Sequence, residues 1–135
     1  MNFVDTLRAE VPACQLLTDP ADTEPYLTDW RGMFHGAALC VARPAHVDEV
    51  SCLLRIPARH GVGVVAQGGN TGLGAGPTPT GSRPQVLVSL GRMHKVRAID
   101  RVGMTMEVEA GCVLETAKEA ARAQGGVLPI GFAAQ

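Results

Sequence analysis

Large aromatic side chains are nearly missing from this chain, at 4% of its 135 residues. Its interior must therefore be filled by small and branched aliphatic groups. An excess of one charge is missing too: 12 basic residues are interspersed with 13 acidic ones, for a formal net charge of -1. Nucleic acid and anionic lipid surfaces are recognised by a basic face, so neither is expected as a partner. No apolar run reaches the roughly 18 residues of a spanning helix, so no membrane span is expected. The stretch Met1 to Glu10 lacks the basic-then-apolar order of a signal peptide and is too acidic for a transit peptide. The expected compartment is the cytoplasm. Paired cysteines are lacking as well. Cys14, Cys40, Cys52 and Cys112 are far apart with no Cys-x-x-Cys, a pattern that reads as buried reduced thiols rather than a disulfide framework or metal site.

Hydrophobic residues make up 46% of the chain and charged residues 19%, enough apolar surface for a packed core. The length suits one core or one incomplete domain. Phe3, Val4, Leu7 and Val11 share one side of a predicted helix over residues 1–10. Asp19-Pro20-Ala21-Asp22 and Glu24-Pro25 then predict a helix-free connector, because proline disfavours helical geometry in the residue before it. Ala37 to Val41 is a continuous apolar run expected as a strand buried on both faces, ended by Arg43-Pro44. From Pro44 to His60, Val47, Val50, Leu53 and Leu54 recur at helical spacing, with Asp48 and Glu49 in the first turn, where the helix dipole favours negative charge. Pro57 is expected to end or kink this helix near Ile56. Val62 to Val65 predicts a second buried strand, completing a parallel crossover unit, and Val86 to Leu90 a third.

Beyond these the pattern changes. Val96 to Asp100 and Met104 to Ala110 read as an antiparallel pair, in which Met104, Met106 and Val108 alternate with Thr105, Glu107 and Glu109. Leu114, Ala117, Ala120 and Ala121 define a helix stopped by Gly125-Gly126. An apolar tail follows, from Val127 to Gln135. With only part of a second sheet visible, the chain is expected to be truncated in mid-domain.

Chemistry is concentrated in the loop after the second strand. Seven glycines fall between residues 61 and 76. Consecutive glycines after a strand let main-chain amides converge on an anion, because no Cβ holds a phosphate away. Asn70 and Thr71 add side-chain donors. On glycine content alone, a ligand-free connection competes on even terms. A Walker phosphate loop fails, since no lysine occurs between His46 and Lys95 to grip a β/γ-phosphate. Gly61-Val62-Gly63-Val64-Val65-Ala66 spells a dinucleotide fingerprint, but that string must follow a strand, and here it contains one.

Tyr26-Leu27-Thr28-Asp29-Trp30, Val41-Ala42-Arg43-Pro44, Gln67-Gly68-Gly69-Asn70-Thr71-Gly72-Leu73, Val86 to Met93, and Val108 to Glu115 together resemble the FAD-binding domain of the vanillyl-alcohol oxidase/PCMH superfamily. The strings are most similar to its branch of FAD-linked 2-hydroxy acid dehydrogenases, which act on D-2-hydroxyglutarate, D-lactate or glycolate. The resemblance runs from about Tyr26 to Gln135. It implies an α+β, PCMH-type FAD-binding fold: a small three-stranded parallel βαβ subdomain followed by the start of a mixed or antiparallel sheet subdomain with helices. Residues 1–36 would be an N-terminal helix and connector, and 37–135 the N-terminal part of the FAD-binding domain, incomplete at its C-terminus.

The same resemblance implies that Gln67, Gly68, Gly69, Asn70, Thr71, Gly72 and Leu73 wrap the FAD pyrophosphate, with Gly111 and Pro129 near the flavin. Where some relatives attach FAD through a histidine, this chain has Asn70, which implies non-covalent FAD. Gly74-Ala75-Gly76-Pro77, Gly131 and Ala133 depart from the family pattern, and most of these departures bear on the isoalloxazine side. Substrate arginine, base and metal ligands would come from a C-terminal portion, so no catalytic residue and no metal ligand is assigned. A small 2-hydroxy acid is the substrate implied in a full-length context.

Two other readings stay open. One is a non-catalytic nucleotide-binding or assembly module that needs a partner chain to complete its second sheet, with self-association through that incomplete sheet as one way to supply it. The other is the same fold in a UDP-N-acetylenolpyruvoylglucosamine reductase. The remaining candidates stay structural: His35, His46, His60 and His94 are scattered, His46 and Glu49 are expected on a solvated helix start, Glu107 and Glu109 on an exposed strand face, and Met104 and Met106 in the core.

Overall fold

The computed structural model of the chain describes residues 2–131, which divide into two compact units, Met1–Arg92 and Met93–Gln135. The first contains α1 (Phe3–Glu10), β1 (Gln15–Leu17), α2 (Pro20–Leu27), β2 (Val41–Arg43), α3 (Val47–Arg59), β3 (Gly63–Gln67) and β4 (Gln85–Ser89). Its four strands lie in the order β1-β2-β4-β3. The β2, β4 and β3 strands are parallel, as expected, and β1 adds an antiparallel edge with Leu16 opposite Ala42. The β2-α3-β3 crossover leaves one strand position open and β4 fills it. All five β4 residues are accordingly buried, while β3 sits at an edge and runs directly into the glycine loop.

Alternation along the strands divides the interior. Ala42, Val86 and Val88 face a cluster with Leu7, Val11, Leu53 and Ile56 from α1 and α3. Val41, Val65 and Leu87, in register on the opposite face, are buried too. The α1 helix is set by Asn2, whose Oδ1 accepts from the Asp5 amide at 2.9 Å, satisfying one otherwise orphaned donor.

Four expectations need correction in this unit. Asp19 and Pro20 start a helix rather than prevent one: Asp19 Oδ1 accepts from the Ala21 amide at 2.8 Å, and Pro20 occupies the first turn, where no amide hydrogen is required. The strand expected at Ala37 to Val41 forms at Val41–Arg43 instead. Gly36 runs so close to the next loop that a Cβ there would overlap the Pro79 carbonyl oxygen, so backbone meets backbone before the ladder begins. The α3 helix continues through Pro57 to Arg59, and the buried proline ring packs into the core. Its inward face is Glu49, Leu53, Ile56 and Pro57, whereas Val47 and Leu54 are both 55% exposed. Glu49 is buried with its Oε2 turned back to accept from the amide of Ala45, the residue before the N-cap His46, at 2.9 Å.

The second unit pairs β5 (Val96–Asp100) with β6 (Thr105–Val108) in an antiparallel hairpin, followed by α4 (Leu114–Ala123). Asp100 Oδ1 closes the turn by accepting from the amides of Val102 at 2.9 Å and Gly103 at 3.0 Å. Gly125, at φ +77°, ends α4, and the Gly126 amide donates back to the Ala121 carbonyl at 2.9 Å. Ala117 and Ala121 are the buried residues of α4, which packs on β5. Met104 is not core filler: it is 78% exposed and takes φ +50° at the tight turn. Of the apolar tail, Phe132 to Gln135 lie outside the described residues.

Candidate functional site

The β3 strand delivers Gln67, which is 2% exposed, to the start of the glycine loop. Its amide nitrogen Nε2 donates to the carbonyl oxygens of Tyr26 at 2.9 Å and Pro77 at 3.1 Å. One buried side chain thus ties the beginning of the loop to its end and to the end of α2. Asn70 adopts the left-handed conformation, φ +54°, which this residue tolerates well. Its Nδ2 donates to the Thr28 carbonyl at 2.8 Å, while its Oδ1 is buried without a partner. Exchanging the two amide atoms would set oxygen against oxygen, so the orientation is fixed by the carbonyl it faces. At the far end, Arg31 donates through a guanidinium nitrogen to the Leu73 carbonyl at 2.9 Å, and the Thr78 amide closes on Ala75 O at 3.0 Å.

What these ties leave over is the main chain itself. Among the described residues, none of the nine amides from Gly68 to Gly76 that could donate does so to a protein acceptor. The glycines in this run are not demanded by backbone conformation, since the positive-φ glycines are Gly32, Gly61, Gly81 and Gly125. Internal crowding does not demand them either. A Cβ built on Gly68, Gly74 or Gly76 has nothing within 4 Å, and on Gly69 or Gly72 the nearest atom is a side-chain carbon at 3.9 Å. Bare backbone that the chain itself does not need, with its donors unpaired, is the arrangement required for close approach of an anion. Residues 61–82 contain no charged side chain and no histidine, so amide dipoles dominate the field at the loop.

The segment that braces the loop is a turn. Asp29, itself buried, accepts from the Phe34 amide at 2.7 Å and the Arg31 amide at 3.3 Å, and Thr28 bridges His35. These amides, Phe34 foremost, hold the Asp29 carboxyl below the usual range. Trp30, 67% exposed, sits on this turn beside the arginine that reaches Leu73.

The predicted loop residues Gln67, Gly68, Gly69, Asn70, Thr71, Gly72 and Leu73 are thus brought into one cradle, but two of them act differently from expectation. The Gln67 and Asn70 side chains hold protein carbonyls, whereas Thr71 and Leu73 keep exposed side chains. Gly111 and Pro129 belong to the second unit, where the Gly111 amide donates to Met93 O at 2.8 Å. Nothing local in the sequence assigns a role to Tyr26 or Thr28. Their contacts span some 40 residues of chain, and no local spacing reveals such a partnership.

The residues set aside stay structural. His35 faces Glu24 at 3.0 Å. Burial pushes the thiols of Cys14 and Cys40 up to about 11, which keeps them protonated. Glu107 and Glu109 both pair with Arg97, at 3.6 and 3.3 Å, and the Lys95 amide holds the Glu109 carboxyl low. Among the described residues no cluster of three metal-ligating side chains occurs, and no helix is long and apolar enough to cross a membrane.

A family profile described as FAD binding domain matches residues 38–135. The chain is 38% identical to a D-2-hydroxyglutarate dehydrogenase of Xanthomonas citri pv. viticola over 130 residues, covering 96% of this chain and 27% of that protein. It is 31% identical to the mitochondrial D-2-hydroxyglutarate dehydrogenase of Bos taurus, with 90% and 22% covered. The chain therefore spans about a quarter of the length of these curated relatives. Among solved structures, an alkyldihydroxyacetonephosphate synthase superposes with a TM-score of 0.76 at 25% identity, covering 91% of this chain and 25% of that one. A p-cresol methylhydroxylase superposes with a TM-score of 0.76 at 20% identity, covering 98% and 26%. The latter is a likeness of fold alone, and it bears out the α+β PCMH-type architecture expected from the sequence.

Proposed function

The chain belongs to the FAD binding domain family, and from that premise we propose that its loop Gln67 to Leu73 holds the pyrophosphate of a non-covalently bound FAD. The observation that carries this reading is the run of unpaired amides from Gly68 to Gly76 in a loop whose glycines serve no internal purpose. Backbone donors fixed before binding stabilise phosphate oxygens without a reorganisation cost. No histidine, cysteine or tyrosine occurs in residues 61–82, which is why non-covalent attachment is proposed.

FAD, when bound, would supply a two-electron acceptor for the oxidation of a small 2-hydroxy acid. The similarity to D-2-hydroxyglutarate dehydrogenases supports that substrate class in a longer protein. The part played by these 135 residues is to bind and orient the cofactor, and none is proposed as a catalytic residue.

Titrating FAD into the purified protein tests this through quenching of emission from Trp30, the sole tryptophan. Quenching should saturate, ADP should compete, and acid precipitation should release all flavin into solution. Gly69→Val should abolish binding while leaving thermal stability nearly unchanged, since its side chain would enter open space. Unaltered affinity in that variant would sink the assignment. Self-association is a second reading, favoured by the exposure of Met104 and Val127, both 78%.

A further inference from the structure

The turn from Thr28 to His35 lies outside residues 38–135, the stretch that the family profile covers, yet it is bonded to the glycine loop. Asn70 reaches the Thr28 carbonyl at 2.8 Å, Gln67 reaches Tyr26 O at 2.9 Å, and Arg31 reaches Leu73 O at 2.9 Å. The first two bonds run outward from the loop and fasten its beginning and middle. The third runs the other way, and it is the tie between the turn and the end of the amide run. We infer that Arg31 is a positioning residue of the cofactor site: its guanidinium clasps the Leu73 carbonyl and brings to the loop the positive charge that residues 61–82 lack.

Three features support the assignment, which rests on the FAD reading above. The donor is charged and the acceptor is a neutral carbonyl, so this bond takes up none of the charge, and the field of Arg31, shared with the Asp29 carboxyl it helps hold low, also reaches the loop. Asp29 does not neutralise it in the manner of a salt bridge, because its oxygens accept from the main-chain amides of Arg31 and Phe34. The turn is rigid where it must be: buried Asp29 accepts from two amides and the Asp29 amide donates to the Phe34 carbonyl at 3.0 Å. Arg31 thus projects from a braced base, and fixing Leu73 fixes the direction in which the preceding amides point. A loop held open in this way binds an anion more tightly than one that must be ordered on binding.

The test compares Arg31→Gln, which shortens the donor and removes the charge, with Arg31→Lys, which keeps the charge and one donor. FAD and riboflavin are titrated separately into each variant, with thermal unfolding followed in parallel. Arg31→Gln should weaken FAD binding about tenfold, the loss of one charge-assisted bond. It should leave riboflavin binding and the unfolding temperature unchanged, because riboflavin carries no diphosphate. Arg31→Lys should recover most of the FAD affinity. FAD affinity equal to wild type in Arg31→Gln overturns the inference, and so does an equal loss for riboflavin. If the wild-type chain binds neither flavin, the FAD reading itself fails. The clasp is then judged by 15N relaxation of the Gly72 and Leu73 amides, whose order parameters should fall in Arg31→Gln and, if unchanged, dismiss it.

Discussion

Asp29 shows how much one side chain can organise. Its carboxyl is held below the ordinary value of 3.8 chiefly by the Phe34 amide, aided by those of Arg31 and Met33. A carboxyl whose pKa is lower folded than unfolded contributes stability that is fully present above 3.8 and is lost as pH falls through the folded value. The turn should therefore be indifferent to pH from neutrality down to that ordinary value and loosen only below it. Trp30 lies next in sequence and reports on this locally, where Glu109 and Glu115, also held low, do not. Its emission should shift with a midpoint under 3.8, and Asp29→Ala should show the loosened emission at every pH. A midpoint at or above the ordinary value would refute the account. Glycine density pointed to the cradle directly. The inward use of Asn70 and Gln67 was invisible, because Thr28 and Tyr26 lie about 40 residues away and offer only carbonyls, which every residue has.

At the scale of elements, periodicity gave the presence of α1, α3, β3, β4, the β5-β6 pair and α4, and it misjudged which face of α3 turns inward. Leu53 and Leu54 were both expected inside, but one helical position turns a side chain by about 100°, and only Leu53 is buried. Leu53→Ala should destabilise the first unit by about 2 to 5 kcal/mol through lost burial and a residual cavity. Leu54→Ala should change stability by less than about 0.5 kcal/mol. Urea denaturation of the two variants checks the contrast, and comparable losses would mean that α3 is rotated from its described orientation. The α2 helix was missed for a different reason: Asp19 before Pro20 is the local signature of a capped first turn, its bond reaching only two residues on to Ala21, and the proline alone was weighed.

For the whole molecule, the division at Arg92 and Met93 places the glycine loop in the first unit and Gly111 and Pro129 in the second. Among its described residues the second unit has a two-stranded sheet and one helix, and two-stranded hairpins are marginal by themselves. Its exposed Met104, Val102 and Val127 are apolar surface that association could cover. If the chain self-associates through this unit, sedimentation velocity should show a concentration-dependent shift that Met104→Lys reduces. A single monomeric boundary at all concentrations would dismiss the second reading and leave the first untouched.

By itself the sequence determined what depends on neighbours along the chain: strand and helix periods, the turn at Gly61, the stop at Gly125, and the bare backbone of Gly68 to Gly76. Short-range sterics and hydrogen bonding govern all of these, so they are written locally. Tertiary structure alone decided that β4 lies between β2 and β3, that α3 presents Leu53 and not Leu54, and that Arg31, Asn70 and Gln67 lash the loop to the turn at Asp29. Those outcomes depend on which surfaces meet after the chain has folded back on itself, and burial and hydrogen bonding between distant residues set them.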